Sequence, residues 1–369
     1  MLSIKALCAK ILRIVNFTGI LIWAENSTVE MSKCMDYLSH MLSKISKVYG
    51  GMEMSKNRYF ADDCWAFWID GDDSSTLYIS DWINPKGNSY VDVAVHARGI
   101  KGTKSLNIYI PFPVTSDEIT DISMMFWNKS VLYAIFNSAC IVDFEKNECT
   151  SELAYQGKTV DLVHISKLKY NISQLADGSL FTLDFDQLQN SLANDEAYFI
   201  FRIPHKSLNA IFSSRVCVDS YLKRVRKAIT TPVIDEKYGY SVRINESRSL
   251  PSEITRLVPF HRQKLRRTLI SLSIDEDYDV GDQGCYCIRR LEENIYNDYI
   301  PEGFSCDNAI TYQWDQRKEK SQHGHFNFYF SIARNSISKT SMGLYMILLI
   351  VFSGAGSALC ELVMRLFGA

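Results

Sequence analysis

The sequence predicts an α+β protein, a sheet-dominated soluble region with an N-terminal helix and a single C-terminal transmembrane helix. Three observations point there. Short alternating apolar runs separated by turn clusters fill the middle of the chain, apolar residues recur at helical steps over 31–49, and the nineteen residues from Met342 to Cys360 carry no charge. At 369 residues and 47% apolar content the chain is long enough for two domains and excludes wholesale disorder.

The amino-terminal region, 1–50, is read as helical. Lys5, Lys10 and Arg13 precede the apolar stretch IVNFTGILIWA, which is too short to span a bilayer. That layout fits a secretory signal, an interfacial amphipathic helix, or a core or oligomer helix. Met31, Met35, Leu38, Leu42, Ile45 and Tyr49 then follow a heptad-like seam ended by Gly50 and Gly51.

From 51 to 205 the texture is that of strands. CWAFWI, TLYISDWI, YVDVAVHAR and SLNIYIPF are divided by DGDDSS, NPKGNS and GIKGTK, whose Gly, Pro, Asn and Asp form turns, so an antiparallel meander is expected. VLYAIF, CIVDF, TVDLVHI, SLFTLDF and AYFIFRIP also read as strands, and FDQLQNSLAND as helical.

The next region, 206–340, is basic and mixed. Between Arg202 and Arg267 fifteen Lys and Arg face five Asp and Glu, a balance of +10 that leaves −12 for the rest of a chain whose net charge is −2. Val218, Leu222, Val225 and Ile229 predict a helix that carries Lys223, Arg224, Arg226 and Lys227 away from its apolar stripe. After the strand-like YGYSVRI, a second helix is expected from near Pro259. It would turn Leu265, Leu269 and Leu272 inward and display His261, Arg262, Lys264, Arg266 and Arg267. Two strands near 308–315 and 325–333 complete the region.

Met342 to Cys360 is long enough for a membrane span and holds eight strongly apolar residues, each favouring insertion by about 0.3–0.6 kcal/mol. Arg334 and Lys339 before it, against Arg365 after it, predict that the bulk of the chain faces the cytoplasm. Ser353 with Ser357 and Gly354 with Ala358 form small-xxx-small pairs that suit close packing between membrane helices.

The chain lacks a phosphate-cradling Gly-rich loop, a dinucleotide fingerprint, a His-Glu-x-x-His helix and a Gly-x-Ser-x-Gly elbow, so no cofactor is expected. Asp275, Asp277 and Asp279 imitate the start of a calcium loop, but Gly281 is displaced and Tyr286 stands where a bidentate Glu is needed. A solvated acidic turn is the better reading. Cys285, Cys287, Cys306, His323 and His325 lack the usual spacing of zinc ligands, and Asp235 with Lys237 has no partner carboxylate for nuclease chemistry. Ten scattered cysteines suit reduced thiols.

The basic segment therefore carries the functional expectation. Either it pairs with the acidic cluster of Asp62, Asp63, Asp70, Asp72, Asp73 and Asp81, or it meets an anionic partner: a membrane leaflet, a nucleotide or other phosphate, or nucleic acid. No duplex-reading motif accompanies it. The sequence predicts a membrane-tethered sensor or effector that self-associates and binds a partner or phosphate-bearing ligand. In organisation it resembles the single-span proteins of bacterial antiphage systems. The alternatives are a membrane-held enzyme acting on lipid head groups or nucleic acid, and an exported surface protein.

Overall fold

The computed structural model describes most of 60–213, 233–258, 265–317 and 325–337, together with scattered positions between 342 and 357. The chain divides into two compact units, 1–57 and 58–369, and the described residues all lie in the second. The expected N-terminal helix, its heptad seam and the Val218–Ile229 helix fall outside the described residues.

The strands are β1 (Phe60–Ile69), β2 (Ser75–Ile83), β3 (Tyr90–Arg98), β4 (Ser105–Ile110), β5 (Thr120–Asp121), β6 (Cys140–Asp143), β7 (Thr150–Tyr155), β8 (Lys158–Val163) and β9 (Tyr170–Gln174). They continue as β10 (Ser179–Asp184), β11 (Glu196–Pro204), β12 (Val233–Ile244), β13 (Leu265–Asp275), β14 (Tyr278–Gly281), β15 (Cys287–Arg290), β16 (Ala309–Arg317) and β17 (Phe326–Ile337). Short helices are α1 (Lys129–Phe136), α2 (Lys206–Ser213), α3 (Ser252–Leu257) and α4 (Glu293–Tyr296), with 3-10 turns that include Ser123–Trp127.

Two sheets form. Sheet I has the order β14-β17-β12-β1-β4-β10-β9, and sheet II the order β15-β16-β13-β2-β3-β11-β8-β7-β6 with β5 added to β11. Their inner faces share one core. Trp65 and Phe67 of β1, Tyr240 and Val242 of β12, and Phe328 and Phe330 of β17 meet Ile79 of β2, Val93 of β3, Phe199 of β11 and Leu272 of β13. The outer face of sheet II is covered by Phe126, Leu132, Tyr296 and Tyr299, and that of sheet I by Leu250, Ile254 and Val258.

Strands from the two sides of residue 205 interleave. β12 runs parallel to β1, from Phe60↔Gly239 to Trp65↔Ile244, and β13 runs parallel to β2, ending at Ile83↔Ile274. Asn245 turns the chain after β12 at φ 58°, and its Oδ1 accepts the Phe67 N–H at 2.8 Å.

The expected α+β class is corrected by these sheets: among the described residues the protein is a two-layer β-sandwich with only short helices. The helix expected through Leu265–Leu272 is β13. Its inward set is Leu265, Thr268, Ile270, Leu272 and Ile274, because a bulge between Leu265 and Arg267 shifts the register before strict alternation begins. VLYAIF, expected as a strand, lies in α1. Asn128 starts it by accepting the Ser130 N–H at 3.0 Å. FDQLQNSLAND shows turns and bends among its described residues, and buries Leu188 and Leu192.

The transmembrane helix and the membrane-bound, tail-anchored character derived from it are also corrected. Among the described residues no helix is long and apolar enough to cross a membrane. Met342, Gly343, Met346, Leu349 and Ile350 are helical and exposed. Gly343, Gly354 and Gly356 each cost a helix about 1 kcal/mol relative to Ala, and an added Cβ at any of them would meet nothing within 4 Å. Ser353, Gly354 and Ser357 are exposed, and Ala358 lies outside the described residues.

Candidate functional site

The basic segment is largely spoken for where it is described. Lys223, Arg224, Arg226, Lys227, His261, Arg262 and Lys264 lie outside the described residues, so no site can be built on them. Arg267 forms two hydrogen bonds to Asp315, at 2.8 and 2.9 Å. Burial opposes ionisation of Asp315, but the bonds from Arg267 and Arg317 outweigh it and hold the carboxyl below its usual range. Arg243 pairs with Asp62 of the acidic cluster and lies 3.6 Å from Glu246, Lys206 pairs with Glu118 at 2.8 Å, and Arg202 is buried against Asp92. Arg266 is exposed on β13. Seven of the nine expected binding residues thus lie outside the described residues, and Arg267 would have to leave a two-bond carboxylate to take a phosphate.

The acidic turn is ion-paired. Arg334 reaches Asp277 at 3.3 Å, Arg290 reaches Glu276 at 3.1 Å, and Lys86 stands 4.0 Å from Asp275. Cys285 donates to the carbonyl oxygens of Cys287 and Gln313, at 3.2 and 3.4 Å. Burial pushes the Cys306 thiol up to about 11, which disfavours the thiolate that zinc needs. Among the described residues no three His, Cys, Asp or Glu side chains are placed to hold a metal.

Two buried histidines organise the polar interior. His164 lies on the outer side of sheet II between two hydroxyls, with Ser123 Oγ 2.7 Å from Nδ1 and Ser151 Oγ 2.7 Å from Nε2. Ser123 Oγ donates to Asp121 Oδ1 at 2.6 Å, because a carboxylate can only accept. Ser123 must therefore accept from Nδ1–H, which leaves the Nε2 lone pair for the Ser151 hydroxyl. Burial holds His164 below its ordinary pKa, and the ring is neutral. This is the order of protons in a nucleophile–base–orienter chain. Ser151 is only 3% exposed, however, so the chain satisfies an interior rather than meeting a substrate.

His205 sits between the sheets and is fully buried. Its Nε2 is 2.9 Å from Tyr240 Oη, 3.3 Å from Asp81 Oδ1 and 3.5 Å from Asp63 Oδ2. Burial disfavours the imidazolium, but the closeness of Asp81 and then Asp63 overcomes it and raises the His205 pKa. Burial likewise pushes Asp63 up to about 6.

Arg202 makes a third buried node. Its Nε and Nη2 bind Asp92 at 2.6 and 2.9 Å, Nη2 also donates to the Tyr299 carbonyl at 2.7 Å, and the guanidinium lies 5.7 Å from the Trp82 ring centre. Trp82 Nε1 completes the node by donating to Asp92 at 2.8 Å.

The surface offers a different feature. Among the described residues β15 ends sheet II and pairs only with β16, where Cys287 faces Gln313 and Arg290 faces Ile310. Tyr286 is 76% exposed and Ile288 60% exposed, two apolar side chains on alternate positions. Leu291 N–H donates to Ala309 O, so by the alternation of an antiparallel ladder the backbone groups of Ile288 and Arg290 point to the open edge. Edge strands of this kind template the addition of another strand.

No family model and no curated protein matches this chain.

Sequence reasoning missed both histidines. His164 is the penultimate residue of TVDLVHI and His205 follows AYFIFRIP, and neither has a motif partner nearby. Ser123 is 41 residues from His164, and Asp63 and Asp81 come from strands far from His205 in sequence. The one available signal was acidic residues at otherwise apolar, inward positions of strand-like runs, namely Asp63 within FADDCWAFWI and Asp81 within STLYISDWI. Tyr286 and Ile288 alternate visibly in CYCIRR, but that β15 is an edge is a property of the sheet order.

Proposed function

We propose that this protein is an interaction module that takes up an extended segment of a partner protein along the open edge of β15. The observation that carries the reading is the coincidence of outward backbone groups at Ile288 and Arg290 with the exposed side chains of Tyr286 and Ile288. Main-chain hydrogen bonds would supply affinity, and apolar side chains at alternate partner positions would meet Tyr286 and Ile288 to supply selectivity. Arg290, 64% exposed in its side chain and shared with Glu276, adds a cation at the end of the edge. Arg202, Lys206, Arg243 and Arg267 of the basic segment serve the fold through Asp92, Glu118, Asp62 and Asp315.

Ile288→Pro tests this directly, because an edge strand tolerates proline where the N–H faces solvent. A displayed library of short linear peptides is selected on the wild-type protein and scored on Ile288→Pro, Tyr286→Glu and the remote control Arg256→Ala. The reading expects peptides that bind wild type and Arg256→Ala and lose at least tenfold in affinity on both edge variants, about 1.4 kcal/mol. Peptides that bind all four proteins equally would overturn it.

A further inference from the structure

The cluster around His205 poses a problem that neither folding nor strand addition explains. Asp63 Oδ2 and both carboxylate oxygens of Asp81 are buried without a partner in hydrogen-bonding geometry. Such orphaned acceptors are rare in native interiors and call for a compensating charge or proton. The group placed to supply it is the His205 imidazole, whose Nε2 lies 3.3 Å from Asp81 Oδ1 and 3.5 Å from Asp63 Oδ2.

The placement gives that proton a mechanical role. Asp63 and Tyr240 belong to β1 and β12 of sheet I, whereas Asp81 belongs to β2 of sheet II. His205 leaves β11 of sheet II, donates its backbone N–H to Ser89 O at 2.8 Å, and is followed at once by α2. The cluster therefore spans the sandwich at the point where the chain turns out of it. The groups that face it are Asp63, Asp81 and Tyr240, with Ser207 of α2 bonded to Asp63 and Asp62 nearby but held by Arg243. The Phe112 ring, 5.1 Å from the imidazole, closes the apolar side.

We propose that His205, Asp63, Asp81 and Tyr240 form a proton-operated latch between the two sheets, closed while the cluster holds its full set of protons and loosened as they are withdrawn. With the imidazolium on His205 and a proton on Asp63, the cluster holds its full set of protons. Withdrawal of the Asp63 proton adds one negative charge to the buried core, and withdrawal of the imidazolium proton removes the one cation there. A long contact from Leu208 N–H to Nδ1, at 3.3 Å, is the interaction that favours the neutral ring. It is opposed by two carboxylates within 3.5 Å of Nε2.

The sign follows from linkage. Asp63 titrates near 3.8 when unfolded and near 6 when folded, so its contribution is full below 3.8 and fades as pH rises to about 6. His205 titrates at 6.5 when unfolded and higher when folded, so its contribution is full below 6.5 and fades above it. Because the folded state holds about one extra proton in each window, the unfolding constant gains up to tenfold per pH unit from that group.

The test compares urea unfolding of the full chain and Asp63→Asn from pH 4 to 8, alongside a ring-proton NMR titration of the wild type. Asn mimics the protonated acid and keeps its shape. The ratio of wild-type to Asp63→Asn unfolding constants should rise several-fold per pH unit up to about 6 and then level. The His205 ring should titrate above 6.5, while His164 serves as an internal reference titrating below 6.5. A ratio independent of pH, or a His205 midpoint at or below 6.5, would overturn the latch, and the NMR readout holds even if the variant fails to fold.

Discussion

His164 and His205 are 4% and 0% exposed and belong to the same sandwich, yet the protein uses them in opposite ways. His164 has hydroxyls at both ring nitrogens, so each of its hydrogen bonds is made by a neutral imidazole. His205 has two carboxylates at one nitrogen, so the imidazolium is the form that its neighbours reward. Burial alone pushes both downward, and only the carboxylates reverse the direction for His205. What surrounds a buried histidine, rather than how deeply it is buried, decides whether it carries charge.

The sharpest way to break this contrast is removal of each ring. His205→Ala leaves two carboxylates buried without their cation and should cost about 3–5 kcal/mol in urea unfolding at pH 6. His164→Ala leaves hydroxyls that can rotate toward other acceptors and should cost less, about 1–3 kcal/mol. Its cost should also depend on pH. Because the folded His164 pKa is lowered, its contribution is present above 6.5 and is lost as pH falls below that value, so the variant's deficit should be larger at pH 8 than at pH 5. Equal deficits for the two variants at pH 6 would remove the distinction. The smallest effect belongs to Ser151→Ala, which deletes one hydrogen bond and should cost about 0.5–1.5 kcal/mol. A fluorophosphonate probe should leave Ser151 unlabelled in the folded protein, and stoichiometric labelling would show that its chain of protons serves chemistry after all.

Much of the sheet was legible. TLYISDWI, YVDVAVHAR, SLNIYIPF and AYFIFRIP became β2, β3, β4 and β11, because alternating branched and aromatic residues between turn clusters leave few other choices. The strands near 308–315 and 325–333 became β16 and β17. The second basic helix was misread because Leu265, Leu269 and Leu272 have helical spacing, and a β-bulge absorbs the odd residue. The uncharged run after Met342 met the length criterion for a span, yet among the described residues no helix is long and apolar enough to cross a membrane. The ligand-binding set drawn from the basic segment rested on local charge. Arg267 shows why that is a weak guide, since its counter-charge, Asp315, lies 48 residues away.

By itself, then, the sequence determined a protein rich in strands with a large apolar core, because alternation and turn chemistry are local properties of the chain. It also marked the anomalies, an Asp at an inward position of β1 and another of β2. Which sheet each strand joined, that β15 became an edge, and that Asp63, Asp81, Tyr240 and His205 converge on one nitrogen were decided only in three dimensions. The physical reason is range: periodicity acts over a few residues, whereas the parallel pairings of β1 with β12 and β2 with β13 join segments more than 170 residues apart.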